Sequence, residues 1–121
     1  MRINTTHQAS PLDNALTIYA VDEPGHGGAN HLYVVEETND SLAGTLTVRF
    51  QKGPIGEHGV NGVSNDVLLA IVADRLEGFQ SGPYACQDNG IALAKIQSAM
   101  QDLQTRTKER LARGVEGTSH V

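Results

Sequence analysis

A chain of 121 residues with a formal net charge of −5 holds one domain and lacks the broad basic face that duplex nucleic acid demands. Only 39% of it is apolar, with no Trp, two Phe and three Tyr, so a thick core is excluded and self-association is expected. The single cysteine, Cys86, rules out an intramolecular disulfide or a cysteine-built metal site, and no bilayer-length apolar run or signal-peptide pattern is present, which points to a soluble protein of a reducing cytosol.

Three stretches read as strands in chain order: "ALTIYAV" (15–21), "HLYVVEE" (31–37) and "GTLTVRF" (44–50). Each gathers β-branched and aromatic residues. Between them lie the turn formers of "DEPGHGGAN" and "TNDSLA", so an antiparallel meander over 12–53 is expected. "GHGGAN" is a weak match to a phosphate-cradling loop, because strand-like rather than helical sequence follows it.

"QKGPIGEHGVNGV" (51–63) carries four glycines and one proline, and it reads as a loop long enough to have a task. The period then changes. Ser64 is placed to cap a helix whose Leu68, Val72, Leu76 and Phe79 recur at helical spacing, until "SGP" (81–83) breaks it. A second helix from about Cys86 to Arg113 has no Pro and one Gly, with Gly114 as its C′ residue. Its length is roughly 40 Å. "GTSHV" is expected to fray. The fold class is therefore α+β: a small N-terminal antiparallel sheet, a 54–63 loop, a helical hairpin over 64–114 with one long helix, and a 115–121 tail.

The long helix also carries a geometric argument. Leu93, Ile96, Met100 and Leu103 form a seam that runs back to Asn89 and forward to Thr107 and Arg110, with Arg106 beside it. Asn89 and Arg106 lie 17 residues apart, about 25 Å on one helix, so no small ligand touches both within one chain. Two copies crossing antiparallel about the seam's centre would set Asn89 of one chain against Arg106 and Arg110 of the other, twice over. Phe79, the Gly82-Pro83 step, Tyr84 and Asn89 would then form one wall of a pocket, and the arginines its charged end. Aromatic stacking, an amide and paired guanidinium groups suit a base, its edge and phosphates respectively.

Each residue also has a plainer explanation. Phe79 ends an apolar stripe and fits a core role, and Asn89 early in a helix fits a capping role. Four of the nine basic residues (Arg106, Lys108, Arg110, Arg113) fall within eight positions, where the helix macrodipole favours cations anyway. Cys86 reads as a small buried residue without a base beside it. His26, His31 and His58 lack the spacing of metal ligands.

Taken together, "FQKGPIGEHGVNGV", "FQSGPYACQDNGIAL" and "RTKERLARGVEGT" resemble the phage-encoded first family of Thoeris anti-defence proteins, whose helical hairpin is shared with the second anti-CBASS family. The strands from "GHGGANHLYVV" onward resemble that family's sheet as well. The resemblance implies a non-catalytic sponge for immune signalling nucleotides, of the glycocyclic ADP-ribose type and also cyclic di- and trinucleotides, in the cytoplasm of the infected host. It implies dimers assembling into hexamers with pockets between protomers, and neither cofactor, metal, membrane nor genomic nucleic acid as partner. By motif, Phe79 stacks on the base, Asn89 contacts the base, and Arg106 and Arg110 hold the phosphates. Arg113 and Thr118 are the candidates for a second, cyclic-trinucleotide site. Tyr84, Gln87-Asp88 and Gly90 depart from the family pattern of Phe, Arg-Glu and Ala. An enzyme degrading the same signals and a helical protein-interaction module are the rival readings.

Overall fold

The computed structural model describes residues 1–38 and 46–121, which fall into two compact units, Met1–Val63 and Ser64–Val121. In the first unit, strands β1 (Arg2–Asn4), β2 (Leu16–Ala20), β3 (Leu32–Glu37) and β4 (Leu46–Arg49) pair in sequence order, every pairing antiparallel. Ile18 faces Val35 across β2 and β3, and Tyr33 faces Val48 across β3 and β4. The expected meander holds, and β1 is an addition to it. The connector after Thr38 and positions 44 and 45 of the third expected strand lie outside the described residues.

A one-turn helix, α1 (Pro11–Asn14), precedes β2. Ser10 caps it by accepting from the Asp13 N–H at 3.1 Å, and Pro11 supplies a preset first turn. Ala20 is fully buried in this unit, and Tyr33 meets Phe50 edge-on with ring centroids 5.7 Å apart. The 51–63 segment is more ordered than its glycines suggest. It contains a second one-turn helix, α2 (Ile55–His58), and closes on a parallel bridge between Phe50 and Val63. Two amides brace it: Asn61 pairs both ways with the Lys52 backbone at 2.8 Å, while Gln51 donates to the Gly53 and Gly59 carbonyls and accepts from the Asn61 N–H.

The turn between β2 and β3 is organised by Asp22. Its carboxylate accepts the N–H groups of His31, at 3.0 Å, and Leu32, at 3.2 Å, and the Asn30 side chain joins them. Desolvation pushes the pKa of this carboxyl up, but the donated hydrogen bonds outweigh it and leave the value below the ordinary 3.8. A depressed carboxyl contributes stability above its unfolded value and loses it as pH falls through the folded one. Below about pH 4 the first unit should therefore lose stability more steeply in the parent than in Asp22→Asn, which starts lower at pH 7. Tyrosine-monitored melts across pH 2–7 check this, and parallel curves would refute it.

In the second unit, α3 (Asn65–Gln80) starts at Ser64 as expected, the Ser64 hydroxyl accepting from the Val67 N–H at 3.3 Å. The buried line overlaps the expected stripe only in part. Ala73 is buried and Leu68, Leu69, Leu76 and Gln80 are half-buried, while Val72 and Phe79 are exposed. α4 (Gln87–Ala112) packs on α3, and its Leu93, Ile96, Met100 and Leu103 are all half-buried. Gly114, at φ +72°, ends it in a Schellman motif: the Val115 N–H reaches the Arg110 carbonyl and the Gly114 N–H reaches that of Leu111. Among the described residues, no helix is long and apolar enough to cross a membrane.

Candidate functional site

Phe79, with 36% of its surface exposed, lies near the end of α3. The connector that follows is built rather than slack. The Gln80 side chain pairs with both backbone groups of Cys86, donating to the carbonyl at 2.9 Å and accepting from the N–H at 3.0 Å. The Ala85 N–H closes a turn onto the Gly82 carbonyl. Held this way, the connector sets Tyr84 edge-on to Phe79 at 6.3 Å, with 74% of Tyr84 exposed. That is the structural use of aromatic residues in a helix connector: they form an exposed, ordered step.

Gly90 belongs to the same arrangement. A Cβ there would lie 3.1 Å from the Gln80 amide nitrogen, so the absent side chain leaves room for the clamp. Cys86 is exposed, contrary to the expectation of a buried thiol, and its sulfur caps α4 by accepting from the Asn89 N–H at 3.5 Å. Asn89 is thus fixed in the first turn of α4, half-buried, with its backbone in the cap.

A further residue lies on this step. The Arg75 guanidinium sits over the Phe79 ring, 5.3 Å from its centroid. Neither Arg75 nor Gln80 figures among the residues expected from the sequence. The signal for Arg75 was the four-residue spacing to Phe79, which sets the two on one helix face.

The other end of α4 is organised differently. Arg106 is exposed. Arg110 is 6% exposed, and its guanidinium is taken up by the residues that follow the helix. It donates to Glu116 at 3.0 Å, to the carbonyls of Val115 at 2.9 Å and Thr118 at 3.2 Å, and to that of His120. Arg113 pairs with Glu109 and reaches the Val121 carbonyl, while the Thr118 hydroxyl donates to the Val115 carbonyl. The tail expected to fray is instead wrapped around a buried arginine. The cause is the set of backbone acceptors that Gly114 turns back toward α4.

One chain therefore carries two groups of candidate residues at opposite ends of α4: Phe79, Tyr84 and Asn89 at its start, and Arg106, Arg110, Arg113 and Thr118 at its finish. A separate depression of about 350 Å³ in the first unit is lined by Lys52, Gly53, His58 and Asn61. Among the described residues, no group of three His, Cys, Asp or Glu side chains is placed to hold a metal.

Residues 44–106, just over half of the chain, match the family model described as Acb2/Tad1, hairpin domain. Over 94 residues the chain is 45% identical to a protein of Bacillus phage SBSphiJ7 named Thoeris anti-defense 1. The match covers 78% of this chain and 64% of the phage protein, so the chain spans less than two thirds of that relative's length.

Proposed function

The chain belongs to the Acb2/Tad1 hairpin-domain family, and from that premise we propose that it binds and sequesters a nucleotide signal of bacterial immunity without cleaving it. The observation that carries this proposal is the exposed Phe79–Tyr84 step, held at the start of a helix whose other end is cationic. A base stacks on Phe79 for about 1–3 kcal/mol. The Asn89 amide reads its edge, and Arg106 and Arg110 of a second copy hold the phosphates. Arg113 and Thr118 are the candidates for a second site that takes cyclic trinucleotides.

The twofold crossing of α4 supplies the missing half of each pocket, and the thin core of each unit supports self-association into dimers and hexamers. The relative's name associates it with Thoeris, so the proposed role of this chain is anti-Thoeris, acting in the host cytoplasm on a signal of the glycocyclic ADP-ribose type. Cyclic di- and trinucleotides of CBASS are the further candidates. Trapping works by mass action and needs affinity and abundance rather than turnover.

The test is a thermal-shift panel with glycocyclic ADP-ribose and cyclic di- and trinucleotides, followed by heat denaturation and analysis of the released nucleotide. At about 100-fold its Kd a bound nucleotide stabilises by about 2.7 kcal/mol. Stabilisation with intact recovery supports a sponge. Recovery of fragments would mean an enzyme, and a flat panel would leave a protein-docking helix.

A further inference from the structure

We infer that Arg75 is a ligand-binding residue of the Phe79 site, supplying a cationic contact to the phosphate of a nucleotide whose base stacks on that ring. The inference rests on the nucleotide-binding reading above and deepens it. Arg75 and Phe79 are four residues apart on α3, and the guanidinium lies 5.3 Å from the ring centroid. A guanidinium placed over a ring still presents its N–H donors around the rim of its plane, in the fork that matches phosphate oxygens. Among the described residues, no carboxylate forms an ion pair with Arg75, whereas Arg110 and Arg113 are each paired, to Glu116 and Glu109. An exposed cation committed to an exposed ring, with its charge unspent, is an arrangement poised for an anion.

The consequence concerns how the pocket is divided. Arg106 and Arg110 lie at the far end of α4 and reach a base on Phe79 only from another copy. Arg75 comes from the same helix as the ring, so base and first phosphate contact are held in cis. Each copy then makes a weak half-site of its own, and association with a second copy completes it. Tyr84, edge-on at 6.3 Å, limits how far the Phe79 ring can turn and so keeps ring and guanidinium in register.

The experiment compares the parent chain with Arg75→Ala, Arg75→Gln and Arg75→Lys, using calorimetry with glycocyclic ADP-ribose and a cyclic di-adenylate at 50 and 300 mM salt. Position 75 is exposed, so the variants should fold, and far-UV spectra and melts check that. A lost charge-assisted contact weakens binding by about 10- to 100-fold in the Ala and Gln variants. Lys should retain part of the affinity, and the salt dependence should flatten only where the charge is gone. An arginine that merely propped the ring would weaken binding without altering the salt dependence, and that result overturns the inference, as does affinity within twofold of the parent. If the parent binds neither nucleotide, this inference falls, and the sequestration reading falls with it when cyclic trinucleotides fail to bind as well. If the parent binds and the variants match it, only the inference falls.

Discussion

Arg110→Ala is expected to destabilise the second unit by about 2–3 kcal/mol and to free residues 115–120, while Arg106→Ala leaves stability unchanged. The two arginines sit one turn apart near the end of α4, yet their surroundings differ. Arg110 has four hydrogen bonds, three of them to carbonyls of the tail, whereas Arg106 is exposed. Glu116 is partly exposed, so its share of the loss is discounted for screening, and the carbonyl contacts dominate the estimate. Arg110→Lys keeps the charge but replaces a planar five-donor fork with a compact ammonium, and it should recover less than half the loss. Denaturant titration of the helical signal, with amide exchange along the tail, reads both effects. An unchanged midpoint for Arg110→Ala would show that the tail contributes nothing.

Nucleotide binding should not separate the pair as stability does, because both substitutions weaken it. Under the sequestration reading, Arg106→Ala weakens affinity with no cost to folding, because Arg106 is exposed in the free chain. Arg110→Ala weakens it by two routes, loss of a guanidinium and release of the tail that carries Thr118. In the free chain Glu116 already occupies the Nε side of Arg110, so an arriving phosphate must share that cation or displace the carboxylate. Measured stability therefore has to accompany every affinity at position 110.

The meander was legible because its three main strands gather β-branched and aromatic residues between runs of turn formers. β1 was not, since three residues of mixed character carry no period and gain their place only by pairing with β2. Ser64 and Gly114 announced both ends of the hairpin through cap chemistry that is local to the chain. Of the expected face of α3, Leu68 and Leu76 are half-buried but Val72 and Phe79 are exposed, for a specific reason. Leu68 and Leu69 are adjacent, so two helical registers fit the apolar residues equally, and the line that is buried runs through Ala73, a side chain too small to signal a core. The order of the 51–63 segment and of the tail rests on amide and guanidinium side chains bonded to backbone carbonyls. Every residue carries a carbonyl, so such bonds leave no trace in composition or spacing. Of the candidate site, Phe79, Asn89 and Arg106 could be named from motif and spacing, but the position of Arg75 over the Phe79 ring had to be seen in three dimensions.

Gly62→Ala is expected to open the 51–63 segment, with a cost of about 3 kcal/mol. A Cβ at this position would stand 2.6 Å from the Phe50 carbonyl oxygen and 2.7 Å from that of Arg49, and neither obstacle is a movable side chain. The chain passes here because Val63 donates to the Arg49 carbonyl and accepts from the Gln51 N–H, each at 2.9 Å, and together these bonds make the parallel bridge to Phe50. One methyl group therefore forces a choice between the bridge and the clash. Losing the bridge unseats Gln51 and Asn61, whose amides hold the rest of the segment through the bonds they make to it. Amide exchange at Gln51 and Val63 should accelerate by about a hundredfold, the equivalent of that free energy. A Gly62→Ala chain with parental protection at both amides would mean that β4 shifts to admit the methyl group, and that the segment's order comes from its glutamine and asparagine braces alone.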